Sequence, residues 1–167
     1  GATVTVVVVM GVAGSGKSTV GRSVADRLNW GFVDADDRHP QVNVDKMRRG
    51  EPLDDEDRWP WLDALRADIE GRLRRGEPLV LACSALKQAY RDRLGVDCDR
   101  VRLVYLDVDR AELERRLRAR RGHFMAADML DGEPASLERP RPEGALVLAG
   151  SLRVDELAAL GVAVVRS

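Results

Sequence analysis

Lysine is nearly missing from this chain. Of its 27 basic residues three are lysines, Lys17, Lys46 and Lys87, and the other 24 are arginines. A GC-rich genome produces such a bias. Against it, a retained lysine marks a place where a compact ammonium differs from a planar guanidinium; drift is the alternative for Lys46 and Lys87. Cysteine is scarce as well. Cys83 and Cys98 make no disulfide framework, which fits a reduced, cytoplasmic setting. Histidine occurs twice, at His39 and His123, without metal-ligand spacing, so no zinc site is expected. Net charge is also lacking: the formal value is −1, which gives no overall field to recruit nucleic acid or a membrane surface. Val4 to Val9 is too short for a membrane span or a signal h-region and has no basic flank. No repeat or low-complexity segment appears. At 167 residues one domain is expected, large enough to bury a core without staples.

What the chain does have is Gly11-Val12-Ala13-Gly14-Ser15-Gly16-Lys17-Ser18, a G-x-x-x-x-G-K-S phosphate-binding loop. Val4 to Met10 ahead of it reads as a buried strand. Val20, Val24 and Leu28 behind it recur at helical spacing. That strand–loop–helix setting is the one the motif requires. Glycines let successive backbone N–H groups point at phosphate oxygens, and the helix beginning near Lys17 adds its positive dipole end. Gly11 to Thr19 are therefore the expected ATP-binding residues, with Lys17 at the β/γ-phosphates and the Ser18 hydroxyl on Mg²⁺.

Phe32-Val33-Asp34 reads as a second strand running into Asp34-Ala35-Asp36-Asp37. Carboxylates at the carboxyl end of a strand lie where open α/β sheets build their sites. Asp34 is expected in the outer Mg²⁺ shell and Asp36 at the acceptor hydroxyl as general base, with an extended backbone pointing both side chains the same way. Taken alone, the run also reads as a solvated acidic turn. His39-Pro40 breaks the chain, and Asn43 to Arg49 reads as a short helix stopped by Gly50. Asp54 to Asp57 suits the cap and first turn of a long helix with an apolar stripe at Trp59, Leu62, Leu65, Ile69 and Leu73. Leu79 to Cys83 reads as a third strand, leaving through Ser84-Ala85-Leu86-Lys87 with no carboxylate, which again favours Asp34 for the metal shell. Cys83 reads as a packing residue. Val101 to Leu106 reads as a fourth strand. In the helix that follows, Ala111 to Arg120, Arg116 and Arg120 flank the buried side and can face the nucleotide. No element is evident from Arg121 to Gly144, and a long excursion of this kind is expected to be a lid. Ala145 to Ala149 reads as a fifth strand and Val154 to Leu160 as a helix, with Gly161 to Val165 either extending it or forming a strand.

The chain resembles the small bacterial-type gluconokinases, the thermoresistant group of P-loop kinases related in fold to shikimate and adenylate kinases. The likeness runs from Val4 to about Leu130. Beyond the P-loop it rests on Asp34-Ala35-Asp36 with His39-Pro40, Asn43 with Lys46-Met47, Gly50-Glu51-Pro52-Leu53, Asp55, Asp57-Arg58 and Pro60-Trp61-Leu62. It continues through Cys83-Ser84-Ala85-Leu86-Lys87 with Tyr90-Arg91, then Arg116-Leu117, Arg120, Gly122-His123-Phe124 and Met129-Leu130. The resemblance implies an α/β P-loop kinase fold: three layers, a parallel sheet of about five strands, an acceptor-binding helical region at about 36–75 and a lid at about 120–140. It implies transfer of the γ-phosphoryl group of ATP to gluconate, giving 6-phosphogluconate, with Mg²⁺. Arg58, Lys87 and Arg91 are implied to hold the acid's carboxylate and hydroxyls, with Asp36 and His39 beside them and Arg120 meeting the γ-phosphoryl on closure. Lys46 receives no role. A cytoplasmic homodimer with a small-molecule substrate, and neither nucleic acid nor membrane as partner, is the corresponding expectation. Two departures stand out: Arg38 replaces an apolar residue before His39, and Asp131-Gly132-Glu133-Pro134 intervenes before Leu137-Glu138-Arg139-Pro140. The competing readings are another small-molecule kinase of the same fold, shikimate-like or for another sugar acid, and a non-catalytic P-loop nucleotide-binding regulator. The C-S-A-L-K strand exit argues against the shikimate-like reading, and the absence of an N-K-x-D motif argues against the regulator.

Overall fold

A computed structural model describes residues 3–97, 99–119 and 134–166. The elements run β1 (Val6–Met10), α1 (Lys17–Leu28), β2 (Gly31–Asp34), α2 (Gln41–Arg48), α3 (Asp55–Arg75), β3 (Leu79–Ala82), α4 (Gln88–Leu94), β4 (Val101–Asp107), α5 (Arg110–Ala119), β5 (Leu146–Ala149) and α6 (Val154–Arg166). Short 3₁₀ turns lie at Ala35–Arg38, Pro134–Ser136 and Pro142–Gly144. All strand pairings are parallel, in the order β2-β3-β1-β4-β5. The sheet is thus the expected parallel sheet of five strands.

The apolar run in β1 is continuous because both of its faces are covered. Val6, Val8 and Met10 enter one core with Trp61, Leu62, Leu65 and Ile69 of α3 and Leu94 of α4. Val7 and Val9 enter the other core with Val20 and Val24 of α1 and Leu157 and Val162 of α6. Period-two alternation therefore feeds two helical layers from one strand. In α6, Gly161 lies so close to Val24 of α1 that a Cβ there would stand 2.8 Å from its Cγ2. The tail is helical through this contact: Gly161 to Val165 extends the helix and forms no strand.

Helix α3 begins on a reciprocal capping box. The Asp54 side chain accepts the Asp57 N–H at 2.8 Å, and the Asp57 side chain accepts the Asp54 N–H at 2.9 Å. The acidic run thus performs the capping expected of it. Trp61, just outside the expected stripe, is the largest fully buried side chain, and its indole N–H donates to the Ala35 carbonyl at 2.7 Å. Gly50 follows α2 in the left-handed region (φ 76°), as the stop signal requires.

Because the strands are parallel, their carboxyl ends share one edge. From that edge emerge the P-loop, Asp34, the Cys83–Lys87 exit, Asp107 and Gly150. Chain progress goes one way from β1 to β2 and the other way from β3 to β4, so the P-loop rises where the connections diverge, the crevice in which such sheets bind ligands.

Candidate active site

Gly14 (φ 82°) and Gly16 (φ 90°) are both in the left-handed region, the conformation with which such a loop turns backbone N–H groups toward an anion, and α1 starts at Lys17. A Cβ on Gly11 would overlap the Ser15 side chain. Ser15 is itself buried, and its Oγ makes no hydrogen bond among the described residues. An orphaned buried hydroxyl in a cradle of amides is suited to a phosphate oxygen. Lys17 and Ser18 are half-buried at the loop's mouth and Thr19 is exposed. Arg116 of α5 bridges the loop to the β5 exit, donating to the Gly14 carbonyl at 3.0 Å and the Gly150 carbonyl at 2.9 Å. Glu112 holds it in place at 2.9 Å. Hydrogen bonds from Arg115, and then Arg116, pull the Glu112 carboxyl down to about 2.

Asp34 faces this loop. Its Oδ2 accepts the Ser18 hydroxyl at 2.7 Å and its Oδ1 accepts the Asp36 N–H at 3.0 Å. The second bond caps the Ala35–Arg38 turn. The extended geometry expected for Asp34 and Asp36 is therefore incorrect. Asp34 closes a strand and Asp36 lies in a 3₁₀ turn, so the two carboxylates do not project in parallel. His39 is buried, stacked on Trp61 at 4.1 Å between ring centroids, with its Nδ1 3.2 Å from Asn43 Nδ2. Asn43 also donates to the Asp57 carbonyl at 2.9 Å. These bonds lock the turn after Asp34, α2 and the start of α3 into one unit. Lys46 acquires a function here: its Nζ lies 2.6 Å from Asp57 Oδ2. That bond raises the Lys46 ammonium above its ordinary value and, with the Asp54 N–H, lowers the Asp57 carboxyl.

A second cluster lies where α3 meets the β3 exit. Ala85 adopts φ 46°, unusual for a residue with a Cβ. The bend leads into Lys87 at the head of α4. Arg58 Nη1 donates to the Tyr90 hydroxyl at 3.2 Å, and that hydroxyl donates to Asp55 Oδ1. Arg58 and Lys87 stand 3.6 and 3.8 Å from the same Asp55 oxygen, and both cations lie over the Tyr90 ring, at 5.5 and 5.7 Å. Burial first, and the Asp55 bond second, push the Tyr90 phenol up to about 12, so it remains a neutral donor.

Arg91 is not part of this cluster, contrary to expectation. It is 1% exposed, and its guanidinium is spent on the Ala85 carbonyl (2.7 Å), the Glu138 carbonyl (2.9 Å) and Gln88 Oε1 (3.2 Å). It fastens the segment around Glu138 onto the β3 exit. Glu138 adds its N–H to the Leu86 carbonyl at 2.7 Å, and its carboxylate accepts the Gln88 N–H at 2.9 Å. Arg139 completes the seam with Asp107 at 2.9 Å. Between this segment, Val12, Asp109 and Leu113 lies an open cavity of about 820 Å³.

A family model described as an AAA domain matches residues 6–139. The chain is 45% identical over 133 residues to a gluconokinase of Gluconobacter oxydans, covering 80% of this chain and 75% of that protein. The chain belongs to the gluconokinase family. A gluconokinase from Sinorhizobium meliloti has the same fold, with a TM-score of 0.80 at 37% identity, over 99% of this chain and 94% of that one. So does an unliganded sugar kinase from Janibacter, with a TM-score of 0.86 at 38% identity, over 98% and 95%.

In this gluconokinase-family chain, Arg120, Gly122 to Phe124, Met129-Leu130 and the inserted Asp131-Gly132-Glu133 fall outside the described residues, as does Cys98. Arg38, the other departure, is exposed at the end of its turn. Two residues of the site have no role legible in the sequence. Asp55, one of the positions that carry the resemblance, also sits in a helix-cap run, although the cap itself is Asp54 with Asp57. Glu138 was hidden because it acts on residues some 50 positions away, a separation that no local pattern displays.

Proposed function

We propose that this protein is a gluconokinase, transferring the γ-phosphoryl group of ATP to D-gluconate to give 6-phospho-D-gluconate and ADP. The observation that carries the reading is the pair of cations, Arg58 and Lys87, converging over Tyr90 at the strand edge that also bears the P-loop. Such a pair, which Asp55 compensates only in part, suits an acceptor with a carboxylate, and neutral sugars would leave its remaining charge unmatched. Relatives named gluconokinases at 45% and 37% identity support gluconate over shikimate or another acid.

In this reading the P-loop amides and Lys17 hold the triphosphate, and Arg116 fixes the loop. The Ser18 hydroxyl is a hard oxygen donor that fits Mg²⁺, and Asp34, whose Oδ2 accepts that hydroxyl at 2.7 Å, fits the ion's outer shell. The ion, when bound, would neutralise phosphate charge. Asp36 takes the proton of the acceptor hydroxyl as that oxygen bonds to the γ-phosphorus and the bond to ADP breaks. His39 and Lys46 hold the Asp36 turn and α3 in place. We keep within the same proposal one domain, an acceptor-binding region at about 36–75, a lid at about 120–140 bringing Arg120 to the γ-phosphoryl, and a cytoplasmic, homodimeric setting. No helix among the described residues is long and apolar enough to cross a membrane.

The test is a coupled ADP-release assay over a panel of sugar acids and neutral sugars. Gluconate should give the highest kcat/KM, and equal values for gluconate and glucose would sink the reading.

A further inference from the structure

Two convergent cations beside an aromatic ring would ordinarily attract a phosphate monoester at least as well as a carboxylate, since arginine and lysine both bind phosphate and the phosphate carries more charge. A kinase acting on unphosphorylated sugar acids must avoid sugar phosphates, including its own product turned end for end. The cluster contains a feature suited to this. Asp55 Oδ1 sits between Arg58 and Lys87, at 3.6 and 3.8 Å, and accepts the Tyr90 hydroxyl. Asp55 is not needed to cap α3, because Asp54 and Asp57 do that. It is half-exposed, so its charge meets whatever approaches the cations.

Building on the gluconate reading above, we propose that Asp55 is a specificity-determining residue that cancels one of the two positive charges, leaving a cluster of net +1 whose extra attraction for a phosphate dianion over a monoanionic carboxylate is about half that of the bare pair. Arg58 and Lys87 remain oriented by their ion pairs with Asp55 and by Tyr90. A carboxylate then finds two donors and one net charge. A phosphate dianion is drawn twice as strongly to the cations and repelled twice as strongly by Asp55, so Asp55 subtracts more from its binding than from a carboxylate's, and the dianion also costs more to strip of water.

The experiment compares two ligands with the same six-carbon gluco chain and the same C6 hydroxymethyl group: gluconate, and glucitol 1-phosphate, which carries a phosphate ester at the carbon that is gluconate's carboxylate. The kcat/KM for gluconate and the competitive Ki for glucitol 1-phosphate are measured on the wild type, Asp55→Asn and Asp55→Glu, with binding of a non-hydrolysable ATP analogue as the check on folding. Asp55→Asn should shift the KM(gluconate)/Ki(phosphate) ratio about tenfold toward the phosphate, the size expected for one unit charge a few ångströms away at intermediate dielectric. Asp55→Glu should restore the ratio to within about twofold of wild type. If Asp55→Asn does not bind the analogue, Asp55→Ser supplies the neutral variant. An unchanged ratio in the neutral variant overturns the proposal, as does an Asp55→Glu enzyme that behaves like Asp55→Asn. A wild type that phosphorylates another monocarboxylate and not gluconate overturns the substrate reading instead; the charge rule is then read from that acceptor and its phosphate analogue.

Discussion

The Ser18 hydroxyl donates to Asp34 Oδ2 over 2.7 Å, tying the first turn of α1 to the end of a strand two positions away in the sheet. Asp34 spends its other oxygen on the Asp36 N–H. Asp34→Asn keeps the shape and loses the charge that a divalent cation requires. The expected outcome is a several-fold rise in the Mg²⁺ concentration for half-maximal rate, with kcat largely recovered at saturating metal. A Mg²⁺ titration of initial rates checks it. An unchanged titration curve would remove Asp34 from the metal shell.

Asp36 is exposed in the turn that Asp34 caps. Asp36→Asn preserves the turn, whose backbone bond is untouched, and removes the proton acceptor. We expect kcat to fall about 10²-fold or more, within the range for a positioned general base, and ATP binding to change little. Steady-state kinetics with both substrates varied distinguishes this from the metal defect expected of Asp34→Asn.

The sheet was legible because β1, β3 and β4 are short apolar runs between turn signals, and the P-loop fixed where the site must lie. The nucleotide half was legible for the same reason: glycine spacing dictates backbone conformation locally. The acceptor half was less so. Arg58 and Lys87 could be matched only through resemblance, since their convergence on Tyr90 joins α3 to the head of α4, two segments some thirty residues apart. Arg91 misled because an arginine in a helix reads as solvated or ligand-binding, and nothing in its neighbours signals 1% exposure. The alternation rule failed at Asp36 because the strand ends at Asp34, too soon for it to apply.

Glu112 anchors Arg116 against the P-loop, and its carboxyl, drawn down to about 2 from an ordinary 4.5, keeps that anchor charged. A depressed carboxylate contributes stability that is fully present above its unfolded value and lost as pH falls toward its folded one. The difference in Tm between wild type and Glu112→Gln should therefore be constant from neutral pH to about 4.5 and shrink between there and about 2. At neutral pH the variant should also raise the KM for ATP by roughly threefold to tenfold, because a loosened Arg116 no longer braces the Gly14 carbonyl. A Tm difference that grew on acidification would contradict the assignment.

Arg91 offers the sharpest test of how the segment around Glu138 is held. Its guanidinium is buried and binds two backbone carbonyls, those of Ala85 and Glu138, that lie on opposite sides of the seam. Burial lowers its pKa from the ordinary arginine value but leaves it charged at neutral pH. Arg91→Met keeps much of the apolar stem and removes every donor. Both carbonyls then lose their partner, at a cost of about 1–3 kcal/mol each where they remain buried. For a chain of this size each kcal/mol lowers Tm by about 2–4 °C, so a fall of several degrees is expected. Arg91→Lys should recover only part of it, because one ammonium cannot span both sides as a planar fork does. A purely stabilising clamp would stop there. A clamp that also seats Leu137–Arg139 over the β3 exit should expose that segment once it is removed. A limiting amount of a glutamate-specific protease should then cut after Glu138 in Arg91→Met while the wild type resists, at a temperature where both proteins are still folded. Equal resistance in wild type and Arg91→Met would mean that the Glu138 bonds to Leu86 and Gln88 hold the seam without Arg91.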